Sequence, residues 1–271
     1  MPFRTVALIS ALLMLASGPA RIASAYEPVS AFEDGFAVPS PGYLSESGYA
    51  WPGVEAMLTG PYAAIAWQVP FGMEELAVTT AQAGTAVGRA GFSVSFSGTG
   101  FDLYGDEQEK AGISYRLRDS LSAGLRVTRS AMRIQGFGAA AAFSADAGVI
   151  WRPAESVILA FAAEDLAGAT LGDLREPLDG ALRLSVSTRL AEQFTLFAGA
   201  RKVRLRDTSV SAGFLAKVAG PLTVGAGFGM VPDRVEFLAA IDLGTLRFAY
   251  RGGWHPDLGM SHGGSLAWGE E

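Results

Sequence analysis

Residues 222–230 read LTVGAGFGM, and this stretch decides the fold through its strict period of two. The apolar positions are Leu222, Val224, Ala226, Phe228 and Met230, and they alternate with a threonine and three glycines. Successive side chains of a strand point to opposite sides of the sheet, so the stretch predicts a strand with one apolar face and one small-residue face. The preceding Gly220-Pro221 predicts a tight turn.

The same alternation recurs along the chain from residue 62 onward and predicts about fourteen strands. Their expected centres are Ile65, Val78, Val94, Ile113, Leu125, Phe143, Leu159, Leu184, Leu196, Ala212, Val224, Ala239, Phe248 and Leu266. An even number is usual for membrane barrels. The first two strands have the weakest pattern, which leaves a barrel of about twelve strands as the alternative.

The connections between the expected strands alternate in length. The short ones are 118–120, 153–155, 191–193, 220–221 and 244–245. The longer ones are 98–108, 130–136, 164–180, 202–207, 231–234 and 252–264. Outer-membrane barrels have short periplasmic turns and longer external loops. The rhythm therefore predicts a closed antiparallel transmembrane β-barrel whose long loops face outside.

A soluble β-sandwich would show the same alternation, with its apolar face turned inward. Here the other face carries Gly, Ser and Ala rather than the Lys, Glu and Thr of a water-facing surface. Aromatic residues near the expected strand ends fit the girdles of a membrane barrel. They are Trp67, Tyr115, Trp151, Tyr250, Trp254 and Trp268. We therefore assign residues 61–271 to an all-β membrane barrel.

Composition supports this class. The chain is 49% hydrophobic with a mean hydropathy of +0.26, yet no apolar run of about 18 residues follows the N-terminus, which excludes spanning helices. The absence of cysteine excludes a disulfide framework. Removing residues 1–25 deletes Arg4 and Arg21 and no acidic residue, so the net charge moves from −6 to −8. Such acidity argues against a nucleic-acid partner.

Residues 1–25 have the pattern of a signal peptide. Arg4 precedes the apolar run 6–16, and Ala23-Ser24-Ala25 is a small-residue cleavage site. The alternative is an anchoring helix, but the run is too short and Pro19 interrupts it. The expected location is the bacterial outer membrane, after export through a cleaved signal peptide.

Residues 26–60 show no sustained period of 2 or 3.6 and contain four prolines. They are either a disordered leader or a plug-like segment folded into the barrel. The aromatic residues of this segment, among them Phe32, Phe36, Tyr43 and Trp51, are many for a disordered segment, so we favour the plug.

Charged residues on the small-residue face are the candidate lumen-lining residues, and their opposite signs suit pairing across a narrow lumen. They are Asp146, Arg183, Glu236, Asp242, Arg247 and Arg251. Apolar residues at inward positions suit a small hydrophobic ligand. They are Ile158, Ala160, Ala162, Leu215 and Leu238.

No catalytic or metal site is predicted, and no cofactor. The two histidines, His255 and His262, lie in one expected loop without the spacing of a ligand set or a catalytic triad. The acidic residues of 102–109 lack the spacing of a calcium loop. The basic run 201–206 is either an ordinary solvated loop or a contact for anionic lipopolysaccharide. The sequence does not determine the oligomeric state.

Several stretches resemble PorV-type barrels, which belong to the broader FadL-like superfamily. Tyr104-x-x-Glu107 with residues 111–117 is similar to the entry of the fourth strand. Other similar stretches are 134–138, 146–149 with Pro153, and the close His255-Pro256-Asp257-Leu258-Gly259-x-x-His262. The resemblance implies a fourteen-stranded outer-membrane barrel with an N-terminal plug. The Asn-Pro-Ala-Gly stretch usual in that plug has its nearest match in Ala50-Trp51-Pro52-Gly53.

This resemblance implies a non-enzymatic barrel that binds or passes small hydrophobic molecules, or that serves a secretion pathway as an accessory. The partners would be outer-membrane lipid and lipopolysaccharide, with a small hydrophobic ligand or secretion components. The alternative is a structural or interaction barrel that transports nothing and works through its surface loops.

Overall fold

The computed structural model describes residues 38–40, 48–172, 176–178, 180–204, 206–231 and 233–269. The predicted signal peptide lies outside these residues, as do residues 26–37 and 41–47 of the predicted plug segment. Among the described residues, no helix is long and apolar enough to cross a membrane.

Fourteen antiparallel strands of the described chain form one closed barrel, so the predicted class and count are confirmed and the alternative of twelve is wrong. The barrel strands are β1 Tyr62–Val69, β2 Val78–Val87, β3 Ala90–Phe101, β4 Tyr104–Arg118, β5 Leu121–Ile134, β6 Gly138–Ala154, β7 Val157–Ala163, β10 Ala181–Ala191, β11 Phe194–Val203, β12 Thr208–Ala219, β13 Leu222–Met230, β14 Arg234–Leu243, β15 Leu246–His255 and β16 Gly259–Gly269. All the expected strand centres fall within these bounds.

Closure occurs between the first and last strands. β1 pairs with β16 from Tyr62 opposite Gly269 to Val69 opposite His262, and on its other side it pairs with β2. β7 pairs with β10, because β8 (Thr170–Leu171) and β9 (Glu176–Pro177) form a small separate sheet. Closing the sheet satisfies the backbone of the edge strands without water, as a membrane requires. The described residues also contain three short 3-10 helices: η1 Glu55–Met57, η2 Pro70–Gly72 and η3 Glu74–Leu76.

Each strand has an apolar outer face and a buried inner face, as β14 illustrates. Its outward Val235, Ile241 and Leu243 are between 45% and 56% exposed, whereas its inward Glu236 and Leu238 are at most 6% exposed. Large exposed apolar side chains recur in the same way around the barrel. A continuous outer surface of this kind suits contact with lipid rather than with water.

The exposed aromatic residues lie towards both ends of the wall. Trp67 and Trp254 lie next to one rim, and Tyr115, Trp151 and Trp268 lie towards the rim that carries the two-residue turns. This arrangement is typical of the two interface girdles of a membrane barrel. The expected position of Tyr250 is wrong, because it lies in the middle of β15.

The expected loop lengths need correction. All turns on one rim are two residues long, including 88–89, and on the other rim only the connections 70–77 and 164–180 exceed four residues. The expected long connection 98–108 is instead the paired ends of β3 and β4 around the turn 102–103. Similarly, 130–136 and 252–264 are mostly strand. These strand ends carry charged outward residues such as Glu109 and Arg129, and their polarity resembles that of a loop.

Candidate functional site

Residues 48–60, which we call the lumenal segment, run through the interior of the barrel. Tyr49, Ala50, Trp51 and Val54 are at most 4% exposed, although they belong to no strand. The segment contains η1 and leads directly into β1. The described residues 48–60 therefore lie inside the lumen, and a plug formed by residues 26–60 stays a prediction.

On one side the wall holds the main chain of the lumenal segment through hydrogen bonds. The Ser122 hydroxyl donates to the Gly53 carbonyl at 2.7 Å, and the Ala56 amide donates to the Ser114 hydroxyl at 3.0 Å. Arg116 Nε donates to the Ala56 carbonyl at 2.7 Å. All three wall residues belong to β4 or β5. Buried main-chain groups that lack regular partners are satisfied in this way.

Two wall glycines allow this segment to lie directly against the sheet. A Cβ atom at Gly124 would lie 2.4 Å from the Gly53 nitrogen, and one at Gly148 would lie 2.3 Å from the Pro52 oxygen. Neither position has room for a side chain, since both neighbours are backbone atoms. The backbone of the lumenal segment is therefore in van der Waals contact with β5 and β6.

On the other side the segment packs through apolar side chains. Ile150 of β6 and three residues of β7, Ile158, Ala160 and Ala162, form the wall part of one buried cluster. The segment contributes Ala50, Trp51, Val54, Met57 and Leu58, and Tyr62 of β1 completes it. The inner wall between β6 and β7 is thus apolar.

The described residues 38–40 contact the opposite half of the barrel. Val38 belongs to a buried cluster with Phe197, Leu215, Leu238, Ala240 and Ala249 of β11, β12, β14 and β15. The Ser187 hydroxyl of β10 donates to the Pro39 carbonyl at 2.6 Å. Parts of the chain that precede β1 therefore contact the inner wall on both halves.

The name mouth loop is used here for residues 164–180, whose described part lies at the rim opposite the two-residue turns. Leu171 and Leu178 are buried against Ala142 of β6, with Met132 and Ala140 beside them. β6 pairs with β7 only from Ala147 to Ala154. Before Ala147, the Leu166 amide of the mouth loop donates to the Ala145 carbonyl of β6 at 2.8 Å. The loop therefore occupies the wall where β7 has ended.

The charged candidates lie on the inner wall and pair with neighbours along it rather than across the lumen. Asp146 accepts from Arg126 Nε at 2.9 Å, and Asp242 accepts from Arg247 Nη1 at 2.8 Å in the adjacent strand. Within β14, Arg234 lies 2.8 Å from Glu236.

Arg251 is half-buried on the inward face of β15, opposite Leu238.

Arg183 of β10 pairs with the mouth loop, because its Nε lies 2.7 Å from Oε1 of Glu164. The second oxygen of that carboxylate lies 3.6 Å from Arg201 of β11. Two guanidinium groups of the wall thus hold the first residue of the mouth loop.

The next residue of the loop, Asp165, has a perturbed carboxyl group. Its burial raises the pKa above the usual value, and the nearby Asp146 carboxylate raises the pKa further. Hydrogen bonds from the Ala169 and Gly168 amides oppose this rise without cancelling it. Asp165 has a φ of 49°, in the left-handed region that Asp tolerates better than most residues.

Sequence reasoning missed Tyr49, Gln108, Lys110 and Arg126 as lumenal groups. The Tyr49 hydroxyl donates to Gln108 Oε1 at 3.0 Å, and Lys110 Nζ lies 3.6 Å from the centre of the Tyr49 ring. Arg126 carried a usable signal, since it alternates with the outward Leu125 and Val127. Gln108 ends the expected connection 98–108, and Lys110 lies just after it. A loop has no alternation, so the sequence did not predict which of these side chains point into the lumen.

The two histidines and the acidic residues of 102–109 do not form a common site, because they are divided between the inner and outer faces of the barrel wall. His255 lies on the inner face and contacts Phe71, whereas His262 lies on the outer face against Trp67. Asp106 is buried on the inward face of β4, and Glu107 and Glu109 point outward. Within the described part of the chain, no three potential metal ligands come together.

No protein-family model and no curated sequence matches the chain. Solved structures do match it. A FadL homologue of Pseudomonas aeruginosa superposes with a TM-score of 0.59 at 11% identity, covering 84% of this chain and 95% of that one. The toluene transporter TodX of P. putida gives a TM-score of 0.60 at 11% identity, with 80% and 90% covered.

A third structure, described as the monoaromatic hydrocarbon channel CymD, gives a TM-score of 0.53 at 8% identity and covers 80% of this chain and 90% of that one. The chain has a FadL-like fold. At such identities the similarity establishes the fold and not the cargo. The fold that the resemblance implies is thus confirmed, whereas membership of the FadL-like superfamily or of its PorV-type branch stays a prediction.

Proposed function

We propose that this protein is an outer-membrane channel that admits small hydrophobic molecules, with a lumen that the lumenal segment and the mouth loop close. The observation that carries the proposal is the apolar inner wall between β6 and β7. Ile150, Ile158, Ala160 and Ala162 are all at most 2% exposed and face the lumen. Water-filled porins have a polar interior instead.

The apolar inner wall would also favour the entry of a hydrophobic molecule energetically. Displacement of Trp51 and Val54 from the cluster would expose a connected apolar surface inside the barrel. A small hydrocarbon would regain the burial that the segment loses, at roughly 25 cal/mol per Å² of apolar area. A polar solute would gain nothing from this surface. The site therefore favours hydrophobic cargo.

The fold comparison supports the same cargo class. TodX is described as a toluene transporter and CymD as a monoaromatic hydrocarbon channel. We extend that class to this chain because its own inner wall between β6 and β7 is apolar. Outer-membrane lipid and lipopolysaccharide are the proposed surroundings, and the outward Lys202 and Arg204 near the loop rim offer cationic groups for lipid phosphates.

Uptake by intact bacterial cells tests the proposal, since an outer leaflet of lipopolysaccharide slows hydrophobic entry. Cells that express the full chain should take up radiolabelled toluene faster than cells with the empty vector. Uptake of a small sugar should be the same in both. Faster uptake of the sugar in the expressing cells would contradict the proposal. It would also be contradicted if the protein increased the uptake rate of neither toluene nor oleate.

A secretion-accessory role and a purely structural role stay predictions from the sequence. The uptake measurement also separates these from transport, because neither requires hydrocarbon entry to depend on the protein.

A further inference from the structure

Arg126 of β5 and Asp146 of β6 form a buried ion pair inside the barrel wall. They are direct cross-strand partners, and Arg126 Nε lies 2.9 Å from Asp146 Oδ2. Each residue is 4% exposed. A buried ion pair is costly to desolvate, so its retention calls for contacts beyond the pair itself.

The carboxylate of this pair binds the mouth loop. Oδ1 of Asp146 accepts from the Asp165 amide at 3.0 Å, while Oδ2 accepts from the Thr128 hydroxyl at 3.1 Å as well as from Arg126. The Asp165 amide is a main-chain donor at the start of the loop. Its position is therefore fixed by a charge-assisted hydrogen bond, which is about twice as strong as a neutral one.

The guanidinium of the pair binds the lumenal segment. Arg126 Nη1 donates to the main-chain carbonyl of Tyr49. The side chain of Tyr49 is held in the same place by Gln108 and by Lys110 over its ring. One end of the ion pair thus contacts the mouth loop, and the other end contacts the lumenal segment.

We infer that Arg126 and Asp146 are positioning residues that couple the mouth loop to the lumenal segment, so that release of either one eases release of the other. When the Asp165 amide leaves, Asp146 loses a donor and holds Arg126 less firmly in its orientation towards Tyr49. When Tyr49 leaves, Arg126 gains freedom that loosens Asp146. Coupling of this kind is reciprocal by thermodynamic linkage.

The chain offers a matched control within the same lumen. Asp242 and Arg247 form an ion pair of 2.8 Å between two neighbouring strands, near the rim with the two-residue turns. Neither residue belongs to the buried clusters of the lumenal segment or the mouth loop in the described structure. Asp242→Asn removes one charge from the inner wall as Asp146→Asn does, but at a residue that belongs to neither cluster.

Cysteine labelling measures both closures at once, because the chain has no native cysteine. Ala50→Cys reports on the lumenal segment, where the residue is fully buried, and Ala169→Cys reports on the mouth loop, where it packs beside Leu171. The labelling rate with a membrane-impermeant maleimide is measured on the reconstituted full-length barrel. Retained heat-modifiable gel mobility shows that each variant is folded.

Asp146→Asn should raise the labelling rate at both reporter positions by about tenfold, a typical size for coupling between sites. Asp242→Asn should leave both rates unchanged. An increase at only one position would overturn the coupling, as would an equal increase from the control variant.

A second variant keeps the inference testable if Asp146→Asn fails to fold. Replacing residues 165–179 by a short Gly-Ser linker removes the donor to Asp146 without touching a barrel strand. The coupling predicts faster labelling of Ala50→Cys in this variant, and an unchanged rate would refute it. The measurement needs no transported molecule, so its failure would leave the proposal of hydrophobic uptake standing.

Discussion

On the β4–β5 side of the lumen the lumenal segment is held by hydrogen bonds to its main chain, whereas on the β6–β7 side it is held by apolar side chains. Ser114, Ser122 and Arg126 serve the first side, and Ile150 and Ile158 serve the second. Hydrogen bonds depend on distance and direction, while apolar burial depends mainly on area. The polar side therefore fixes where the segment sits, and the apolar side supplies the burial that stabilises it.

This difference suits a closure that has to open. A hydrophobic molecule can replace the segment on the apolar side, because it offers the same kind of contact. It cannot replace the segment on the polar side, where main-chain groups meet serine and arginine. We expect the polar side to guide the segment back into place after the cargo has passed.

The largest effect is expected from breaking the ion pair on the polar side. Arg126→Met keeps most of the side-chain volume but leaves the Asp146 carboxylate buried without its cation. Loss of one partner of a buried pair costs about 3–5 kcal/mol, and urea unfolding from liposomes measures it. Arg247→Met is the control, since its partner Asp242 is 34% exposed on its side chain. Equal losses for the two variants would contradict the special position of Arg126.

The next effect concerns the apolar side. Ile150→Ala should lower the free energy of unfolding by about 3 kcal/mol, because the lumenal segment cannot fully fill the cavity. The neighbouring Val149 faces outward and is 39% exposed, so Val149→Ala should cost much less. The same unfolding experiment checks both. A larger loss at Val149 would mean that the two faces of β6 are assigned wrongly.

A smaller effect is expected from a single hydrogen bond on the polar side. Ser122→Ala removes the 2.7 Å bond to the Gly53 carbonyl and should cost about 1 kcal/mol. Ser265 provides the comparison, since its hydroxyl is buried without a hydrogen-bond partner among the described residues. Ser265→Ala should therefore be close to neutral. If Ser122→Ala were also neutral, hydrogen bonds would not position the segment.

The smallest effect is a pH dependence of the mouth loop. Burial raises the pKa of Asp165, so the loop in its bound position takes up a proton more readily than the released loop. The resulting stabilisation is present below the usual pKa of an aspartate and is lost as the pH rises through the raised value. Hydrogen exchange of the Leu178 amide, which donates to the Ala169 carbonyl, should slow upon acidification after correction for the intrinsic rate.

Asp165→Asn should abolish this pH dependence, whereas Asp102→Asn in the exposed turn between β3 and β4 should preserve it. A dependence that survives Asp165→Asn would assign it to another group.

The barrel itself was predictable because the alternation in stretches such as 222–230 reflects an apolar face towards lipid and a small-residue face towards the lumen. The same signal misled where a strand leaves the lipid. Residues 104–108 are polar on both faces, so they were placed in the long connection 98–108 although β4 begins at Tyr104. The resemblance to a fourth-strand entry pointed to the correct boundary, and the composition did not.

The candidate site was predictable only in part. The sequence placed Asp146 among the lumen candidates by its position in an alternating stretch. It gave no means of pairing Asp146 with Arg126, because the register between β5 and β6 depends on the exact length of the turn between them. The lumenal segment has no periodicity, and its position follows from tertiary contacts such as those of Gly124 and Gly148.

A reversible lock on the lumenal segment tests the central claim most directly. Ser114→Cys combined with Ala56→Cys introduces thiols at two residues that are in contact, since the Ser114 hydroxyl lies 3.0 Å from the Ala56 amide nitrogen. Oxidised cells that carry this double variant should lose toluene uptake and regain it after addition of a reductant, while each single variant should transport under both conditions. Full uptake with the disulfide formed would show that hydrophobic molecules do not pass the lumenal segment, and the account would be wrong.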